Sequence, residues 1–237
     1  MVTLSSATLN LVCLMPAARH RLPRPLLLGL AALLLAATPA AAQWRVELWF
    51  GDAWNARTPL TFKQDGEPDI RMTPNWSTRP GRPTWYYSSR IAKWSGDRGW
   101  AFHYMHHKLY LDNPPLPEVS VFRITNGINM LLAERLWRRK GWEIAVGAGP
   151  ALTVPFSNVR GKTYGRANGI FGSRYDLGGA TVEAGVARRL KLLPYTYGSL
   201  TAVVTATNIS AKIADGRATT MNYALHLQYG ISLQGAP

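Results

Sequence analysis

"MNYALHLQYGISL", residues 221–233, decides the fold. Met221, Tyr223, Leu225, Leu227, Tyr229, Ile231 and Leu233 alternate with Asn222, Ala224, His226, Gln228, Gly230 and Ser232. Successive side chains of a strand point to opposite faces, so one face here is wholly apolar and the other small or polar. A soluble sandwich strand can alternate too, but such strands are usually about 5–6 residues long. An uninterrupted run of this length suits a transmembrane barrel strand, apolar towards lipid and polar towards the lumen.

The same period recurs upstream. Trp44, Val46, Leu48 and Phe50 share one face, with Arg45, Glu47 and Trp49 on the other. Further candidate strands are 84–94, 100–110, 126–137, 142–154, 175–189 and 197–212, which makes eight with the first and last. Inward positions such as Glu143, Ala145, Gly147, Gly149, Gly179, Thr181, Glu183 and Gly185 are mostly small, as a narrow side-chain-filled lumen requires. Connections alternate in length: long at 53–83, 111–125 and 155–174, and tight at "SGDRG" (95–99), "RRKG" (138–141) and "LKLLP" (190–194). Trp94 and Trp100 flank one tight turn, and Trp137 and Trp142 the next, as an interfacial aromatic girdle predicts. The reading is all-β: an eight-stranded antiparallel transmembrane β-barrel of the outer-membrane type. Closure satisfies every strand edge, which hydrocarbon demands. An even strand count puts both chain ends on the periplasmic side. A lipocalin-like soluble barrel is the alternative fold, against which the outward tryptophans argue.

The first 42 residues read as a secretory signal peptide. Arg19, Arg21 and Arg24 precede an apolar run, Leu26 to Ala37, that is too short to span a bilayer as a helix. Ala40 and Ala42 then form an A-x-A site, with cleavage expected after Ala42. The domain organisation is thus 1–42 signal peptide and 43–237 a single barrel domain. The leader holds three arginines and no acid, so its removal takes the formal charge from +14 to +11. It also removes Cys13, the only cysteine, leaving an exported chain held by burial and hydrogen bonds. In the envelope a basic surface meets lipid phosphate rather than nucleic acid, so no nucleic-acid partner is expected.

"HYMHHKLY" (103–110) concentrates three of the five histidines. A helix would put His103 and His107 on one face, as in a zinc motif, but Tyr104 stands where that motif has its glutamate. A strand sends His103, Met105 and His107 to the lumen. His103 and His107 are then about 13 Å apart, too far to share one metal, and no metal is assigned. His106 and Lys108 face outward near the rim, at the height of a lipid phosphate. The lumen histidines pair most simply with Glu47, Glu143 or Glu183.

Several short motifs are similar to those of a known family. "PTWYYSSRIAKW" (83–94) resembles its Pro-Tyr-Tyr strand, and "YMHHKLY" (104–110) its Phe-Thr-His-x-Lys-x-Tyr strand. "TNGIN" (125–129) resembles its Thr-Asp-Gly-Leu-Asn strand, and "GAGPALTVP" (147–155) its Gly-Ala-Gly-x-x-x-x-x-Pro strand; 175–186 is also similar. The family comprises small bacterial outer-membrane β-barrel proteins and includes the lipid A oxidase of rhizobia. By position His106, Lys108, Tyr110, Asn129 and Pro155 match family motifs. Met105 stands in place of the usual Thr, His103 where an acid is common, and 197–213 lacks the acid often found there. Membership implies oxygen-dependent oxidation of the proximal glucosamine of lipid A. No flavin or haem signature is present, so the cofactor is left open.

Two functions follow. One is a structural or lipid-binding barrel associated with lipid A and lipopolysaccharide in the bacterial outer membrane. His106, Lys108, Tyr110, Arg160 and Lys162 would be its lipid contacts, and the barrel-assembly machinery would be its partner for insertion. The other is a lipid A oxidase-like enzyme with His106, Lys108, His103, Glu143 and Glu183 as catalytic candidates. A porin role fits least, since eight strands leave no open channel.

Overall fold

The fold is seen in a computed structural model, which describes residues 43–235 except 83–84, 113, 115 and 166–174, and not the side chain of residue 126. The expected signal peptide lies outside the described residues. In chain order the strands are β1 (Gln43–Asn55), β2 (Leu60–Gln64), β3 (Ile70–Met72), β4 (Asn75–Ser77), β5 (Tyr87–Ser95), β6 (Arg98–Asp112), β7 (Val119–Arg139), β8 (Trp142–Val159), β9 (Lys162–Tyr164), β10 (Asp176–Leu193), β11 (Thr196–Ile213) and β12 (Gly216–Gln234). Eight of them form the ring β1-β5-β6-β7-β8-β10-β11-β12. Antiparallel pairing of β1 with β12, from Arg45↔Gln234 to Asn55↔Ala224, closes it.

The eight expected strands are all present, and most run further than their alternation shows. β7 has 21 residues and β12 has 19, whereas about 9–11 tilted residues cross a bilayer. The excess lies at the end away from the chain termini, so the wall there rises beyond the apolar belt. The last loop-end connection, between Ile213 and Gly216, is accordingly only two residues long. At the terminus-bearing end the turns are tight. Lys140 and Gly141 both take positive φ (50° and 77°), the mirror-image turn whose twist matches a hairpin.

The burial pattern is that of a protein turned inside out. Along β12 the apolar face is open, with Tyr229 63% exposed, and the polar face is shut, with Gln228 3% exposed. Leu48, Phe50, Phe102, Val146, Val182, Leu200 and Leu225 continue this open apolar surface around the ring. Water would oppose such a surface, whereas a bilayer core accommodates it. Trp44, Trp100 and Trp142 are exposed at the turn end, and Trp54, Trp85 and Tyr175 towards the other. One girdle residue is corrected: Trp94 is 1% exposed and faces the lumen. Its partner Gly99 precedes the outward Trp100, and the pleat reverses between them.

The lumen has two layers. In the turn half it is charged. In the loop half it is an apolar core of Phe62, Met105, Leu109, Phe122, Ile124, Ile128, Met130 and Ile209 among others. The long connection after β1 supplies part of that core. β2 extends the sheet beside β12, with Leu60↔Thr220 to Gln64↔Gly216, and β3 pairs with β2. β4 pairs with the end of β6. β5 reaches only as far as Tyr87↔His106, which leaves a gap between the upper parts of β1 and β6. β4 and the turn at 79–82 close it.

Candidate functional site

The charged half of the lumen is a chain of ion pairs. Arg45 donates to both oxygens of Glu143, at 2.7 and 2.6 Å, and also meets Glu47 at 3.1 Å. Arg90 reaches Glu47 at 3.4 Å and grips Glu134 with Nη2 at 2.7 Å and Nε at 2.5 Å. His103 Nδ1 stands between Glu183 (3.1 Å) and Glu134 (3.4 Å). Arg138 and Arg189 add to Glu143, at 3.1 and 3.2 Å. Four arginines thus balance four glutamates, with His103 at the end of the chain. Tryptophans insulate it: Arg45 and Arg138 lie over Trp94, and Arg90 over Trp49. Gly147 makes room, because a Cβ there would stand 2.8 Å from Glu134 Cγ and from Glu183 Oε1.

A neutral network sits above it. Tyr86 Oη bonds His226 Nδ1 (2.9 Å) and accepts from Gln228 (2.7 Å), while Thr205 meets His226 Nε2 (3.0 Å). His107 Nε2 bonds Asn55 Oδ1 at 2.9 Å. The two lumen histidines of "HYMHHKLY" therefore serve different networks, as their strand spacing implies.

On the outer face the motif residues converge. Tyr87 stacks on His106, with ring centres 5.4 Å apart, and tilts against Tyr104. Asn129 Oδ1 accepts from Tyr104 Oη (2.6 Å) and lies 2.9 Å from His106 Nδ1. An amide oxygen carries no proton, so Nδ1 is the donor, and in the neutral ring Nε2 holds the lone pair. Gly127 packs directly on the imidazole. Its φ is 98° and an added Cβ would strike the ring, so both backbone and space demand glycine. A register shift between Ile124 and Ile128 on β7 accommodates that conformation.

The structure redistributes the sequence candidates. His103 and Glu183 do meet. Glu143 lies elsewhere, bound by three arginines, and joins His103 only through Arg45, Glu47, Arg90 and Glu134. The expected rim pair of His106 and Lys108 is corrected. His106 is 4% exposed and Lys108 fully buried. Lys108 Nζ donates to the carbonyls of Arg79 and Arg82, both at 2.7 Å, because β5 ends early and the 79–82 turn covers β6 there. Tyr110 is buried beneath the Arg79 guanidinium, which is also salt-bridged to Asp112. Arg160 braces the β2–β3 loop through Gln64 and the carbonyl of Pro68. Lys162 is exposed but pairs with Asp215 at 2.9 Å, a hydrogen bond that raises its ammonium pKa. As placed, none of these five is an open lipid contact without such a bond.

Sequence reasoning missed Glu134 and Arg90 as site residues. Glu134 was hidden because β7 carries apolar residues on both faces there: Met130 and Leu132 line the inner core, while Leu131 and Ala133 face out. The alternation that reveals the other strands fails on that stretch. With Glu134 included, His103, Glu134 and Glu183 present ligand atoms within 4.8 Å of one another, a spacing a cation could fill. Arg90 already neutralises Glu134 and the imidazole bridges both carboxylates, so the arrangement is complete as an ion-pair chain.

No protein-family model matches this sequence. No curated protein matches it. Among solved structures it is similar to the outer membrane protein AlkL, at TM-score 0.44 and 12% identity over 85% of this chain and 94% of that one. It is also similar to Neisserial surface protein A (TM-score 0.36, 10% identity, 83% and 99% covered). OprG from Pseudomonas aeruginosa is a third (TM-score 0.39, 9% identity, 83% and 96% covered). The class assignment, a small antiparallel membrane β-barrel, rests on the ring closure and the inverted burial.

Proposed function

We propose that this protein is an outer-membrane barrel that works on lipid from the outside of its wall, not through its lumen, and that its lipid is lipid A. The single observation behind this reading is the filled interior. Ion pairs occupy the turn half and an apolar core the loop half, so the wall and rim are what remain for a partner. The loop end carries exposed Arg57, Lys63 and Arg82, which suit phosphates at headgroup height. Insertion into the outer membrane would use the barrel-assembly machinery.

A second reading is favoured by one specific observation, the meeting of Tyr87, Tyr104, His106, Gly127 and Asn129 from three separate motifs. Side chains scattered over 87–129 make one cluster on the outer face. In a lipid A oxidase-like reaction this cluster would hold the reducing-end glucosamine beside Tyr87 and Tyr104. The C1–H bond would break, its hydrogen and the C1 hydroxyl proton passing with two electrons to dioxygen to give hydrogen peroxide, and the resulting lactone would take up water to give the aminogluconate.

One experiment separates the readings. Lipid A is extracted from oxygenated cells with the protein, without it, and with Asn129→Ala. A gain of one oxygen atom in mass that needs the protein and is lost in the variant supports oxidation. An unchanged mass, with lipid A still retained by the purified barrel, supports binding alone. Failure to retain lipid A at all would overturn the lipid A reading.

A further inference from the structure

The turn end of the barrel is the more one-sidedly charged of the two. Lys93, Arg98, Arg139, Lys140, Arg188 and Lys191 are exposed there. Among the described residues the acids of that end are Asp97, which is exposed, and Glu143, which is consumed inside the lumen. At the loop end, by contrast, cations are largely matched by Asp69, Asp112, Asp176 and Asp215.

The turn-end cations also sit on the lipid boundary. Lys93 lies over Trp44, Arg135 over Trp100 and Arg188 over Trp142, and these tryptophans are exposed at the edge of the apolar belt. A long cationic side chain held on an interfacial ring keeps its stem in hydrocarbon and its head in the phosphate layer. Arg188 on β10 and Arg139 at the end of β7 both stand opposite Trp142 of β8, and Lys140 lies in the β7–β8 turn between them. Arg188 Nη1 points to the carbonyl of Lys140 at 3.4 Å, and a Cβ on Gly141 would meet that same nitrogen at 2.6 Å. The bare Gly141 therefore lets the guanidinium lie over the turn that presents Arg139 and Lys140. No carboxylate pairs with any of the three among the described residues.

Beside Arg188 an apolar groove of about 480 Å³ opens on the outer wall. It crosses β10, β11, β12 and β1, with Leu190, Leu192, Leu200, Ile231 and Leu48 as walls. Gly198 lacks the side chain that would fill it, and Leu192 leans over that position, 3.4 Å from where a Cβ would be.

We propose that this sector is a binding site for an anionic glycerophospholipid of the leaflet at the turn end, such as phosphatidylglycerol. Arg188, Arg139 and Lys140 hold the phosphate, and one acyl chain lies in the groove over Gly198. A zwitterionic lipid fills the groove equally well but gains less from the three unopposed charges. This site is separate from the lipid A reading, which concerns the opposite rim.

The test uses the whole barrel purified in detergent. Native mass spectrometry counts bound phosphatidylglycerol and phosphatidylcholine of identical acyl chains offered together. Phosphatidylglycerol is expected to dominate by at least about tenfold, and the advantage should shrink as salt rises. In the variant Arg139→Gln/Lys140→Gln/Arg188→Gln the preference should fall to near parity. Gly198→Phe should instead reduce both lipids alike. Retained heat-modifiable gel mobility shows that each variant is folded. Equal retention of the two lipids by the wild type, or an unchanged preference in the charge variant, would overturn the proposal. So would displacement of phosphatidylglycerol by an equal amount of lipid A.

Discussion

Replacing Arg90 by methionine tests whether the buried ion chain holds the barrel together. Arg90 is the middle link, bonded to Glu134 at 2.7 and 2.5 Å and to Glu47 at 3.4 Å. Methionine keeps most of the apolar stem and removes the charge. Glu47 retains Arg45 at 3.1 Å, but Glu134 keeps only His103, at 3.4 Å and shared with Glu183. Two carboxylates then face one imidazole in a site closed to water. Removing one partner of a buried pair costs about 3–5 kcal/mol, because the other charge stays desolvated. Replacing both partners by apolar groups is often nearly neutral. Arg90→Met alone is therefore expected to lose about 3–5 kcal/mol, and Arg90→Met with Glu134→Leu to recover most of it. Urea unfolding of the barrel in lipid vesicles, followed by tryptophan fluorescence, gives the midpoint and slope for each. A single variant within about 1 kcal/mol of wild type would refute the role given to the chain. A double variant as unstable as the sum of the two singles would refute the coupling.

The same unfolding assay checks Gly147→Ala, whose Cβ would displace the Glu134 and Glu183 carboxyls; a loss of about 1–3 kcal/mol is expected. The lipid-facing Gly198→Ala meets ordinary contacts and should change stability by less than about 0.5 kcal/mol. Lys108→Met leaves the Arg82 carbonyl without the ammonium and the Arg79 carbonyl with only the Arg82 N–H, an effect of about 1–3 kcal/mol. Proteinase K cleavage within the 79–82 turn should quicken in that variant, with the rest of the barrel intact. In planar bilayers the wild-type barrel should show no stable conductance steps, since both halves of its lumen are filled; regular steps would contradict the packing described.

Much of the barrel is legible because membrane strands must solve their hydrogen-bonding and solvation problems strand by strand. Residues 221–233 display both faces completely, and β1, β8 and β10 nearly so. The long outer connection was less legible. β2, β3 and β4 are three to five residues each, too short for a period to show, and their pairing with β12 and β6 is decided by distant partners. The expectation for Lys108 failed for the same reason. Strand alternation says which way it points, but not that β5 stops at Tyr87 and a turn from elsewhere covers the spot.

By itself, then, the sequence determined the wall: eight strands, their facing, the tight turns, and the charge of the lumen positions on β1, β8 and β10. These depend on periodicity and local turn chemistry, which each segment carries alone. Only the tertiary structure decided which charges meet. Glu143 takes Arg45 and His103 takes Glu183 because ring closure brings strands together across a narrow lumen. Tyr87, His106 and Asn129 likewise become one cluster because the register of β5, β6 and β7 sets them side by side, a relation no single strand encodes.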